Sequence, residues 1–161
     1  MLFSCRQVQV KDFQNNQPEF DSVTNIYSVA SEDPSMNAAI DKARKTIHEF
    51  DKAFETNDTS CTDFAVKKRY KTPDDGGEHM WVAVVTIENG NYKGIINNEA
   101  QQTKEVKYGD TVLIQKNDIT DWMYVKNNLL KGGFTLRALR VNMNKEERIT
   151  MDKSLGFKIE D

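Results

Sequence analysis

Between residues 33 and 54 the apolar side chains Met36, Ala39, Ile40, Ala43, Ile47, Phe50 and Phe54 recur at steps of three and four. That spacing lines one face of an α-helix and does not fit a strand. Asp33 can accept backbone N–H bonds as the N-cap, and Pro34 occupies the first helical position, where a missing N–H costs nothing. The other face carries Asp41, Lys42, Lys45, His48 and Lys52. The apolar face of this helix must be buried against something else, and the rest of the chain offers mainly strands.

After a loop at 55–61, Phe64, Val66, Lys68 and Tyr70 alternate with Ala65, Lys67 and Arg69, which is strand periodicity. Thr72 to Gly77 reads as a turn, with Pro73 setting φ and two glycines free to take positive φ. Residues 80–87 are apolar at nearly every position, as in a central strand covered on both faces. Asn89-Gly90 signals a hairpin that returns at 92–96, and Gly109-Asp110 leads into a strand at 111–115. Ile119, Trp122, Tyr124 and Val125 form a further strand-like piece, punctuated by Asn127-Asn128 and Gly132-Gly133. Helical spacing resumes with Leu136, Leu139, Arg140 and Met143. A second short helix is marked by Asn144, Glu147 and Gly156. The fold class is α+β: an antiparallel β-meander sheet packed by one N-terminal helix and short C-terminal helices. Residues 1–21 read as a flexible polar lead and 22–161 as a single domain, with a first strand at 23–29.

The 161 residues suffice for a core without disulfide staples. With 22 basic and 25 acidic residues the net charge is −3, which gives no electrostatic reason to expect nucleic acid. The basic run Lys67, Lys68, Arg69, Lys71 reads as the solvated face of a strand. No apolar run reaches membrane-spanning length. Cys5 and Cys61 stand in no zinc-binding or disulfide pattern, and neither a metal nor another cofactor is implied. Leu2-Phe3-Ser4-Cys5 resembles a lipoprotein lipobox without the charged and apolar regions that precede one. Lipidation at Cys5 would tether the domain to the bacterial envelope through its polar lead; otherwise the chain is expected in the cytoplasm, without membrane contact.

Three segments concentrate residues able to do chemistry or bind. Glu78, His79 and Trp81 follow the first turn. As neighbours on a strand, Glu78 and His79 point to opposite faces, so they do not jointly hold one small ion. Asp121, Trp122 and Tyr124 offer an aromatic platform, with core packing as the plainer reading. Gly132 and Gly133 let backbone N–H groups approach an anion beside Arg137 and a helix start, or simply make a tight connection. Arg137 has Glu78, Asp118 and Asp121 as carboxylate partners to choose from, and Arg140 has Asp118 and Asp121. The three segments are expected to meet at the rim of the sheet.

These segments also carry a resemblance. Glu32 to Ile40 with Ala43-Arg44, Phe64 to Lys67, Gly77 to Trp81, Gly109-Asp110, Asp121 to Tyr124, Gly132 to Arg137, Glu146 to Arg148 and Ser154 to Phe157 follow one another in order. In this the chain resembles the YegJ-like bacterial family, a domain of unknown function. The resemblance covers most of the chain and implies a small bacterial protein, with export signals in several members and no assigned activity. The leading expectation is a non-enzymatic domain binding a protein or small ligand. The alternatives are a hydrolytic enzyme using His79 with Glu78, Asp121 or Arg137, and an immunity-type protein that neutralises a toxin.

Overall fold

The computed structural model describes residues 8–10, 19–21, 26–29 and 33–160. Cys5, on which the lipid anchor depends, lies outside them, as does most of the polar lead. In chain order the elements are β1 (Val8–Val10), β2 (Glu19–Asp21), β3 (Ile26–Val29), α1 (Pro34–Glu55), β4 (Cys61–Lys71), β5 (Gly77–Glu88), β6 (Asn91–Ile96), β7 (Thr111–Ile114), a 3-10 turn (Lys116–Asp118), β8 (Ile119–Lys126), β9 (Leu129–Gly132), α2 (Phe134–Asn142) and α3 (Lys145–Leu155).

The helix ends follow from local chemistry. The Asp33 carboxylate accepts the Met36 N–H at 2.9 Å, and Pro34 opens α1. Asn144 and Glu147 close a reciprocal capping box on α3, and Gly156 ends it at φ 70°. Asn89-Gly90 and Asn127-Asn128 both take positive φ, the requirement for the tight hairpins β5–β6 and β8–β9.

β4 to β7 form the expected antiparallel meander. β8 then returns to the far side of β4, with β9 beside it, so the six-stranded order is β7-β6-β5-β4-β8-β9. β9 was not anticipated: Leu129–Gly132 has only four residues, too few to show a period. β1 pairs with Gly77 and Glu78 at the start of β5, the stretch of that edge which β6 leaves open.

Strand alternation divides the side chains between two cores. α1 lays Ala43, Ile47 and Phe50 on Val66, Met80, Val82 and Trp122. The opposite face packs Trp81, Met123 and Val125 under Leu136 and Leu139 of α2 and Met151 and Leu155 of α3. Polar bonds fix α1 in place: Trp122 Nε1 donates to the Ala43 carbonyl at 3.0 Å, Arg44 Nε to the Ile119 carbonyl at 2.9 Å, and the Tyr92 hydroxyl to Asp51 at 2.6 Å. β5 is covered on both faces only in its first half; from Ala83 onward burial falls away and Val85 is 63% exposed.

Ile47 is 6% exposed in the centre of the α1 contact. Ile47→Ala is expected to cost about 2–5 kcal/mol by lost transfer energy and an unfilled cavity. Urea denaturation at unchanged m-value measures it.

Candidate functional site

Lys67 stands opposite Trp81 across β5 and opposite Asp121 across β8, so register alone brings three of these side chains to one face. The basic run was read as solvated, but Lys67 is only 3% exposed. Its ammonium lies 4.7 Å from the Trp81 ring centroid and donates to Thr135 Oγ1 at 2.9 Å. That hydroxyl donates to Asp121 at 2.5 Å. Asp121, fully buried, also accepts the backbone N–H of Trp122 at 2.8 Å, of Phe134 at 3.1 Å and of Thr135 at 2.8 Å. Burial pushes its carboxyl up, while Lys67 and the bonds from Thr135 and Trp122 pull it down.

The expected anion position at the start of α2 thus faces the protein's own carboxylate. Gly132 and Gly133 make the connection tight: both take positive φ, and a Cβ on Gly132 would lie 2.3 Å from the Trp122 carbonyl oxygen. The Gly133 N–H donates to that same carbonyl at 2.8 Å. Among the described residues Arg137 takes no carboxylate. Its guanidinium donates to the carbonyls of Gly132 at 2.9 Å, Leu130 at 2.9 Å and Glu160 at 2.6 Å, tying the C-terminal tail to β9. Asp118 pairs instead with Lys68 at 3.2 Å, and Arg140 with Asp152 at 3.0 Å.

Glu78 and His79 point to opposite faces, as strand geometry requires. Glu78 is fully buried and accepts three successive N–H groups, of Gln101 at 2.6 Å, Gln102 at 2.9 Å and Thr103 at 2.7 Å. It anchors the long loop between β6 and β7. His79 Nδ1 lies 3.0 Å from Thr120 Oγ1, which itself bonds the Lys67 carbonyl at 3.2 Å. Burial, then the cations Lys67 and Arg69, hold the imidazole down to about 3. Trp122 is core, and Tyr124 is half-buried, stacked between Trp122 at 6.1 Å and Phe64 at 5.1 Å. Of the three segments, His79, Trp81, Asp121 and Thr135 meet through Lys67 and Thr120, whereas Glu78, Tyr124 and Arg137 are engaged elsewhere. Lys67 was visible only as part of a basic run, and the two threonines did not stand out, because residue type alone does not tell a buried Lys or Thr from an exposed one.

A different surface is left open. On the face opposite α1, no described helix covers the half-sheet formed by the end of β5, β6 and β7. Ile95 is 41% exposed, Leu113 56%, and Val85 sits at the register shift between Val84 and Thr86. A shallow cavity of about 60 Å³ between Ala65, Trp81, Ala83, Asn97 and Met123 adjoins this patch. Among the described residues no cluster of three His, Cys, Asp or Glu could hold a metal ion, and no helix is long and apolar enough to cross a membrane.

Two measurements check the buried network. Asp121→Ala strips four donors of their acceptor and leaves the Lys67 charge less compensated, so a loss of about 3–5 kcal/mol is expected in denaturant titration. His79 binds its proton at about 3 in the fold against 6.5 unperturbed. Between those values the unfolded chain holds more protons, so acid weakens the fold. Stability should fall by up to about 1.4 kcal/mol per pH unit from this group alone, and His79→Asn should remove that slope.

Comparison with known proteins bears on the same segments. A putative ankyrin repeat protein of Neisseria meningitidis serogroup B is 35% identical over 139 residues, covering 82% of this chain. The match covers 55% of that relative, so the chain spans about half its length. The uncharacterized protein YegJ of Escherichia coli K12 is 37% identical over 113 residues, 70% of this chain and 72% of the relative. No solved structure matches. The family described as "Uncharacterized protein conserved in bacteria (DUF2314)" matches residues 33–159, from the N-cap of α1 to the tail beyond α3. With that match spanning both cores and the buried Lys67–Asp121 network, the chain belongs to this YegJ-like family.

Proposed function

We propose that the chain is a non-enzymatic interaction domain whose open half-sheet receives the surface of another protein. The observation that carries this reading is the exposure of Ile95 and Leu113, on the neighbouring strands β6 and β7, on a face whose other half is covered by α2 and α3, with exposed Val85 at the register shift beside them. Uncovered apolar sheet of this kind marks a contact surface. The groups a hydrolytic site would use are engaged elsewhere: Glu78 and Asp121 accept backbone amides, and Arg137 holds backbone carbonyls. The ankyrin-repeat name of the Neisseria relative fits an interaction role, because such repeats present extended binding surfaces.

A photo-crosslinking residue placed at Val85 in bacterial cells should yield a discrete protein adduct, and the same residue at exposed Lys145 should not. Ile95→Lys should abolish the Val85 adduct while shifting stability by no more than about 0.5 kcal/mol, as for other surface substitutions. Absence of an adduct at Val85, or equal adducts at both positions, would refute the proposal.

A further inference from the structure

The two ends of the six-stranded sheet are finished differently. At β9 the edge is taken by the C-terminal tail: the Leu130 N–H donates to the Lys158 carbonyl and the Lys158 N–H to the Asn128 carbonyl, both at 2.9 Å. At the other end β7 pairs with β6 alone among the described residues. The phase of that ladder is set by the Ile96 N–H, which donates to the Asp110 carbonyl at 2.9 Å. Alternation then turns the backbone groups of Val112 and Ile114 toward β6 and those of Thr111 and Leu113, with the Gln115 N–H, outward.

Natural sheet edges are usually blunted by charge or proline. Residues 111–115 carry neither, and their outermost apolar side chain, Leu113, is 56% exposed. The run is flanked by Asp110 before it and Lys116 after it.

We propose that β7 pairs antiparallel with β7 of a second copy of this chain, about a two-fold axis through Leu113. This contact runs along the β7 edge, beside the face carrying Val85 and Ile95, and shares Leu113 with it. In this register Leu113 exchanges both backbone bonds with its mate. The Gln115 N–H of each copy reaches the Thr111 carbonyl of the other. Asp110 of each copy approaches Lys116 of the other, whose half-exposed ammonium also pairs with Asp51 of its own chain at 2.7 Å, whereas parallel pairing would set like charges side by side. The Leu113 side chains meet across the axis, and the two sheets become one. Such an interface is smaller than the ~1,200 Å² of stable complexes, so the dimer forms in the micromolar-to-millimolar range.

Sedimentation equilibrium of the full chain from about 10 μM to ~1 mM reads this range. The wild type should pass from monomer to dimer. Leu113→Pro removes an outward N–H without touching a β6 bond. It should weaken dimerisation by roughly tenfold or more, with folding checked by circular dichroism and melting temperature. Asp110→Lys, which leaves the Lys116–Asp51 pair in place, should weaken it as well by setting like charges across the contact. A wild type that stays monomeric throughout, including one whose β7 pairs only with another protein, overturns the proposal. So does a dimer indifferent to folded Leu113→Pro or to folded Asp110→Lys.

Discussion

Asp121 joins more of this molecule than any other side chain. It leaves β8 and accepts two amides from the first turn of α2, one from its own strand, and the hydroxyl that Lys67 also uses. A helix start leaves N–H groups without intrahelical partners, and a carboxylate there is favoured by the helix dipole as well as by hydrogen bonding. Placing that carboxylate on a neighbouring strand rather than on the cap residue ties α2 to the sheet. Gly133 can then hold the cap position in a left-handed conformation with no capping side chain of its own. The position of Lys67 follows from this: a buried ammonium is tolerable because a buried carboxylate, a hydroxyl and the Trp81 ring surround it.

Glu78 repeats the device at the start of β5. Three successive amides of the loop before β7 converge on its two oxygens, and Thr103 adds a bond to the Lys71 carbonyl at 2.7 Å. A loop of this length would otherwise carry much conformational freedom. Both buried carboxylates therefore organise backbone, and so does Arg137 through its three carbonyls. Residue types that suggest catalysis in a list of letters here satisfy helix starts, a long loop and a chain terminus. The half-sheet that no described helix covers is where the proposed interaction would take place.

α1 could be read in full from its spacing, its Asp33 cap and Pro34, and α3 from Asn144, Glu147 and Gly156, because these signals act within a few residues of one another. The hairpin at Asn89 was visible for the same reason: positive φ is a property of the residue and its immediate turn; Asn127-Asn128 marked a break in the chain but not the strand that follows it. Trp81, Asp121 and Thr135 meet through Lys67 by strand register, within β5 and β8 rather than at element ends, and their roles were not legible. Nothing local distinguishes Lys67 from Lys68, yet one is buried beside Trp81 and the other pairs with Asp118 near the surface.

The sequence by itself determined the helices with their caps, the strands from β4 to β8 and the α+β class, but not β1, β2 or β9, since what it determined rests on short-range sterics and periodicity. Only the tertiary structure decided that β8 returns to β4 rather than extending the meander beyond β7, a choice made by packing Trp122 under α1. From that one return follow the alignment of Trp81, Lys67 and Asp121 across three strands, the use of Asp121 at the start of α2, and a β7 left at the edge with Leu113 exposed. Each is a relation between residues far apart in the chain, set by which strands become neighbours and beyond the reach of local propensity.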